Sequence, residues 1–131
     1  MNKTANPATT LTIDLKKYRI RIFKQALHLM GDPKYIQFLV NPARMEVALL
    51  AVDKQLPRDQ THKVNMHTLL SENSIEIYSM SFINKLCEVV GGLESNLNYR
   101  LSGEVLVDKR AALFSLKTIR RTDALESHDE T

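Results

Sequence analysis

Five cations fall within nine residues of this chain: Lys16, Lys17, Arg19, Arg21 and Lys24. Arg19 and Arg21 alternate with Ile20 and Ile22, and in extended backbone successive side chains face opposite sides. Isoleucines in a core therefore put both guanidinium groups on the outer face, with Lys16 and Lys17 in the adjoining turn. Such a patch suits phosphates, and arginines there are placed to reach base edges in a DNA major groove. The plainer role for the same residues is to blunt an exposed strand against edge pairing. A secondary basic set, Lys109, Arg110, Lys117, Arg120 and Arg121, flanks the last apolar run. Lys109 and Arg110 sit in a hairpin turn, the usual place for solvated charge.

Catalytic chemistry has little to work with. His28 lies on a short helical run with no second ligand at i+4. His62 and His67 are five residues apart and share neither a helical nor a strand face. His128 falls in the acidic C-terminal stretch. No H-E-x-x-H, phosphate-binding glycine loop or G-x-S-x-G occurs. Cys87, beside Leu86 on an apolar helical stripe, reads as a small buried residue rather than a nucleophile. The expectation is a non-enzyme with no catalytic residues, no metal and no cofactor.

The elements that must position the patch follow from bulk properties and periodicity. With 131 residues, 44% hydrophobic and 25% charged, the chain fits one domain or two very small ones. One cysteine rules out an internal disulfide. No run has membrane-spanning length, and "MNKTANPATT" lacks the apolar core of a secretory signal, so the expected compartment is the cytoplasm, with no membrane partner. The net charge is +3. Residues 1–53 carry eight Lys or Arg against four Asp or Glu, and "TDALESHDET" at residues 122–131 carries four acids and no Lys or Arg. That end reads as an acidic disordered tail, and the body without it, at +7, favours anionic partners.

"LTIDL" (11–15) alternates like a half-buried strand, and "RIRIF" follows after "KKY". Phe23, Ala26, Leu27 and Met30 then fall at i, i+3, i+4 and i+7, a helix that Gly31 and Pro33 end. "YIQFLV" and "MEVALLAV", joined by "NPAR", predict a hairpin. The order β-β-α-β-β recurs. "KVNMHTLL" reads as a strand, and Ile75-x-Ile77-Tyr78 matches Ile20-x-Ile22-Phe23 at an offset of 55. "MSFINKLCEVVGG" predicts a helix with Phe82, Leu86, Val89 and Val90 on its stripe. "YRLSGEVLVDKRAALFSL" matches the first hairpin at an offset of 64, with Tyr99 on Tyr35.

The expected fold is α+β and β-rich: two β-β-α-β-β repeats packed as one pseudo-twofold barrel, since neither copy buries its own sheet face alone. The boundaries are a flexible N-terminus at 1–10, a first repeat at 11–53, a linker at 54–62, a second repeat at 63–121 and the tail at 122–131. The second copy carries Ser74 and Glu76 where the first has Arg19 and Arg21, so a DNA footprint from one chain is lopsided unless two chains pair.

"RIRIFKQALHLMGDPKYIQFLV", with Gly31-Asp32 before an apolar strand, resembles the swapped-hairpin DNA-binding family that includes AbrB, SpoVT and the antitoxin MazE. The resemblance covers residues 11–52 and, more faintly, 63–116. It implies two interlocked half-barrels, normally from two chains, with DNA contacted by basic residues on the early strands and their loop. Phe23 and Tyr78 stand where that family has a proline. The expected function is that of a small DNA-binding transcriptional regulator of bacterial or mobile-element origin, acting through Lys16, Lys17, Arg19, Arg21 and Lys24. The alternative is a phage- or plasmid-type protein that blocks a host protein or sequesters a small anion, with Tyr18, Phe23 and Tyr78 as apolar anchors. A homodimer is open under either reading.

Overall fold

Leu11 and Ile13 are fully buried while Thr10, Thr12 and Asp14 between them are not, so alternation fixes the inner face of β1 (Ala8–Asp14). The same rule buries Ile20 and Ile22 of β2 (Arg19–Phe23) and Ile75 and Ile77 of β6 (Ser74–Tyr78). The computed structural model describes residues 6–57 and 61–122. The remaining elements are α1 (Lys24–Leu29), β3 (Tyr35–Asn41), β4 (Glu46–Val52), β5 (Thr61–Lys63), α2 (Met80–Val90), β7 (Asn98–Leu106) and β8 (Ala111–Arg121).

Eight antiparallel strands form one sheet in the order β5-β3-β4-β8-β7-β1-β2-β6, curled into a nearly closed barrel with two helices. The edge strands β5 and β6 do not pair with each other, so they bound the seam where the barrel stays open. Full closure alone would remove both edges.

Both helices start and stop for local reasons. The α1 backbone is tied at its start by the Lys24 N–H donating to the Asn73 carbonyl at 2.7 Å. It buries Ala26 and Leu27 and gives way to Gly31 at φ +89°, a conformation glycine adopts without a side-chain clash. The Ser79 hydroxyl caps α2 by accepting from the Phe82 N–H at 3.2 Å. Phe82, Ile83 and Leu86 are the buried residues of α2, and the Phe82 ring stacks on Phe38 of β3 at 4.6 Å. Burying each such side chain stabilises the fold by about 1.5–3 kcal/mol. Val89 and Val90, expected on the same stripe, pack only at its margin.

Three boundaries differ from expectation. β1 begins at Ala8, three residues inside the stretch expected to be flexible. The strand expected over "KVNMHTLL" is shorter and earlier, at Thr61–Lys63, and takes two residues of the expected linker. The rest of that segment is a turn and a 3₁₀ turn at Thr68–Leu70, because the Asn65 side chain accepts from the His67 N–H at 3.1 Å and offers the backbone a local partner. The alternation of Val64 and Met66 with Asn65 and His67 resembled a strand; Val64 is buried and Met66 half-buried, and Leu69 is buried beyond them. Thr122 belongs to the body rather than to a tail: it is buried and its N–H donates to the Asn98 carbonyl at 3.1 Å. Residues 123–131, and with them most of the expected acidic tail, lie outside the described residues.

Candidate nucleic-acid interface

The β1–β2 hairpin turn is built on Asp14. One carboxylate oxygen accepts from the Lys16 and Lys17 N–H groups at 3.0 and 3.1 Å, a local side-chain turn that asparagine and aspartate favour. Its other oxygen accepts from Arg19 Nη2 at 2.9 Å. Tyr18 completes the reversal at φ +54°. Lys16 and Lys17 are thereby held out at an exposed tip.

Arg19 and Arg21 point outward, as the alternation requires, but they are not bare. Antiparallel pairing sets Arg21 directly opposite Glu76 and Arg19 opposite Tyr78. Arg21 Nη2 lies 2.8 Å from Glu76 Oε2, and Arg19 Nη1 lies 3.5 Å from Glu76 Oε1. Burial works against the Arg19 charge. The Glu76 and Asp14 carboxylates and hydrogen bonds with Tyr78 and Asp14 outweigh it and hold the guanidinium above its ordinary value. The Arg21 hydrogen bond, opposed by burial and helped by the charges of Arg19, Arg21 and Lys17, holds the Glu76 carboxyl below its ordinary value. Two carboxylates thus take up two of the four cations at this end of the barrel.

Of the expected patch, Lys16, Lys17, Arg19 and Arg21 come together and Lys24 does not. Lys24 lies five residues beyond Arg19 past the far end of β2, about 17 Å away at the rise of an extended strand. The secondary set divides in the same way. Lys109 and Arg110 occupy the turn between β7 and β8, while Arg120 and Arg121 end β8. Arg110 serves the fold: Nε donates to the Met30 carbonyl at 3.1 Å and Nη1 contacts both Asp53 oxygens at 3.2 Å. Arg121 pairs with Glu94 at 3.6 Å.

One residue of the outer face was not singled out from the sequence. Register aligns Glu76 (β6), Arg21 (β2), Thr12 (β1), Arg100 (β7) and Arg120 (β8) in a single row across five strands. Arg100 is on the same side as Arg21 because its neighbours Tyr99 and Leu101 are buried inward. The alternation Tyr99-x-Leu101 carried that much; the register that sets Arg100 between Thr12 and Arg120 did not follow from it.

The alternative apolar anchors separate too. Tyr18 and Phe23 are half-buried, and Tyr78 is 59% exposed beside Met80, also 59% exposed. A groove of about 750 Å³ runs along the open edge of β6, lined by Arg21, Lys63, Glu72, Glu76 and Tyr78. Cys87 is half-buried, and burial pushes its thiol up, away from the reactive thiolate. Among the described residues no three His, Cys, Asp or Glu are grouped to hold a metal, and no helix is long and apolar enough to cross a membrane.

No family model, no curated protein and no solved structure matches the chain.

Proposed function

We propose that this protein is a small non-enzymatic DNA-binding protein, a transcriptional regulator of bacterial or mobile-element type, that contacts duplex DNA from the β1–β2 side of its barrel. The observation that carries the reading is the placement of Arg19 and Arg21 side by side on the outer face, with Lys16 and Lys17 at the exposed tip of the same hairpin. Lysines at a tip act as point charges toward phosphate, and arginines on a strand can address base edges. Asp14 and Glu76 hold the two guanidiniums in place before any DNA arrives, which lowers the entropy lost on binding.

The barrel is read as two β-β-α-β-β units in the swapped-hairpin manner of the AbrB-like proteins. Its pairing list supports that reading. Exchanging the halves turns β2·β6 and β4·β8 into themselves, β3·β4 into β7·β8, and β1·β7 into β5·β3. Only β1·β2 lacks a counterpart, and its missing image, β5·β6, is the open seam. At the offset of 55, Arg21 and Glu76 are each other's counterparts in this reading, and they pair directly across β2 and β6, as residues on a twofold axis between the units would.

Titration against mixed duplex DNA at low and moderate salt tests the function. Binding that weakens steeply with salt, and at least roughly tenfold on Arg19→Ala with Arg21→Ala, is the expected result. No binding at low salt overturns the reading.

A second reading, a phage- or plasmid-type protein that blocks a host protein, is favoured by one observation: Tyr78, the last residue of the edge strand β6, and Met80, the first of α2, are both exposed. It calls for salt-tolerant binding to a protein partner that Tyr78→Ala abolishes and Arg19→Ala with Arg21→Ala leaves intact.

A further inference from the structure

Seven arginines are described, and five of them hold a carboxylate: Arg19 and Arg21 at β2, Arg44 with Glu46, Arg110 with Asp53, and Arg121 with Glu94. The two that hold none among the described residues, Arg100 and Arg120, are directly opposite each other on β7 and β8. Opposed residues of an antiparallel pair have Cα atoms about 4.5–5.5 Å apart and share a face, and like charges in that position repel. No described carboxylate forms an ion pair with either one. Arg100 adds a second sign of incompleteness: its Nε–H is shielded from solvent and has no acceptor, an arrangement that native proteins rarely leave standing.

We propose that Arg100 and Arg120 form a phosphate-contacting pair, and that the DNA-binding surface runs from β2 across β1 onto β7 and β8. The inference rests on the DNA-binding reading and extends its site to a face of the barrel that the hairpin patch does not reach. A phosphodiester oxyanion between the two guanidiniums removes their mutual repulsion and gives Arg100 an acceptor once the side chain turns outward. Thr12, between Arg21 and Arg100 in the row, offers a hydroxyl, a group that commonly donates to phosphate. From Arg21 to Arg120 there are three strand intervals, about 14 Å. One DNA strand presents a phosphate about every 3.4 Å along its axis, so the row spans roughly four. The row contains no aromatic side chain on which unpaired bases would stack, which favours the backbone of a duplex over a single strand.

The test measures duplex DNA affinity over a salt series for the unmodified chain, Arg19→Ala with Arg21→Ala, Arg100→Gln with Arg120→Gln, and Arg100→Lys with Arg120→Lys. Each phosphate contact contributes about 0.9 to the slope of log K against log salt. The glutamine pair is expected to flatten the slope by about two and weaken binding roughly 10–100-fold near 0.1 M salt, while the lysine pair keeps most of the slope. If the glutamine pair does not fold, Arg120→Gln alone, at an exposed position, is expected to flatten it by about one. A wild-type slope in the glutamine variants, beside a loss in Arg19→Ala with Arg21→Ala, overturns the extension and leaves the DNA reading standing. No binding by the unmodified chain overturns both. Tighter binding of a single strand than of a duplex overturns the assignment to duplex backbone.

Discussion

Arg21 on β2 and Arg100 on β7 stand in one row of the same sheet, two strands apart, in opposite electrostatic circumstances. Arg21 has Glu76 at 2.8 Å and shares it with Arg19. Arg100 faces Arg120 and holds no carboxylate among the described residues. At β2 the outer face is stabilised by ion pairs that the chain completes by itself. At β7 and β8 the outer face is left incomplete, and the strands are held by what lies beneath them. An arginine already matched by a carboxylate is positioned by it and shares its charge with it; an unmatched one has its whole charge open to an outside anion. Counting cations along the sequence cannot separate the two kinds, because the difference lies in which strand comes alongside.

The comparison breaks most easily at the packing under β7 and β8. A Cβ added at Gly103 would sit 2.0 Å from the Leu113 carbonyl oxygen and 2.6 Å from the Phe114 ring, so backbone must move. Gly103→Ala is expected to destabilise by about 3 kcal/mol, the upper end of overpacking costs, and to disturb the Arg100–Arg120 register three residues away. Chemical denaturation gives the first quantity, and the salt slope of DNA binding gives the second. A variant as stable as the parent would mean that β7 and β8 are not clamped there, and that the row is looser than its register implies.

A smaller effect divides the arginines by role. Arg110→Ala removes the contact of Nη1 with both Asp53 oxygens and the hydrogen bond to the Met30 carbonyl, and leaves that carbonyl short of a donor at the end of α1. A loss of about 1 kcal/mol is expected, with DNA affinity unchanged. Arg120→Ala is expected to do the reverse, moving stability by less than about 0.5 kcal/mol and weakening DNA binding. Thermal melting beside a DNA titration reads both. Equal stability losses would erase the distinction between arginines that build the fold and arginines that face outward.

These cases show why the sequence was legible in some places and not in others. Ile20-x-Ile22 with Arg19 and Arg21 determined which side each residue faces, since that depends on a period of two and nothing else. The two helices and their glycine stops were legible for the same local reason. Glu76 was visible only as a position where the second copy lacked an arginine. That it neutralises Arg21 follows from β2 pairing with β6, a contact between residues 55 apart. Arg100 was invisible as a site because its row is assembled from one local hairpin pairing and three long-range ones. "KVNMHTLL" differs from the strand expected because Val64 and Met66 alternate with Asn65 and His67 within a turn that the Asn65 side chain closes.

The smallest expected effect sharpens the comparison most, because it converts one kind of arginine into the other. Glu76→Gln keeps the shape of the β6 side chain and removes the charge that Arg19 and Arg21 share. The network is largely open to water, so the stability loss at neutral pH is expected to stay under about 1 kcal/mol. Its sign with pH follows from the lowered Glu76 carboxyl. The stabilisation is complete above the ordinary glutamate value of 4.5 and disappears as the pH falls through the lower folded value. The stability gap between parent and Glu76→Gln is therefore expected to be flat above about pH 5 and to close in more acidic solution. DNA affinity is expected to rise severalfold at low salt, since two guanidiniums are released toward phosphate. The gain must vanish when Glu76→Gln is combined with Arg19→Ala and Arg21→Ala, because the carboxylate acts only through them. A gain that survives in the combined variant would mean that Glu76 repels DNA by its own charge, and the contrast between Arg21 and Arg100 would no longer rest on pairing.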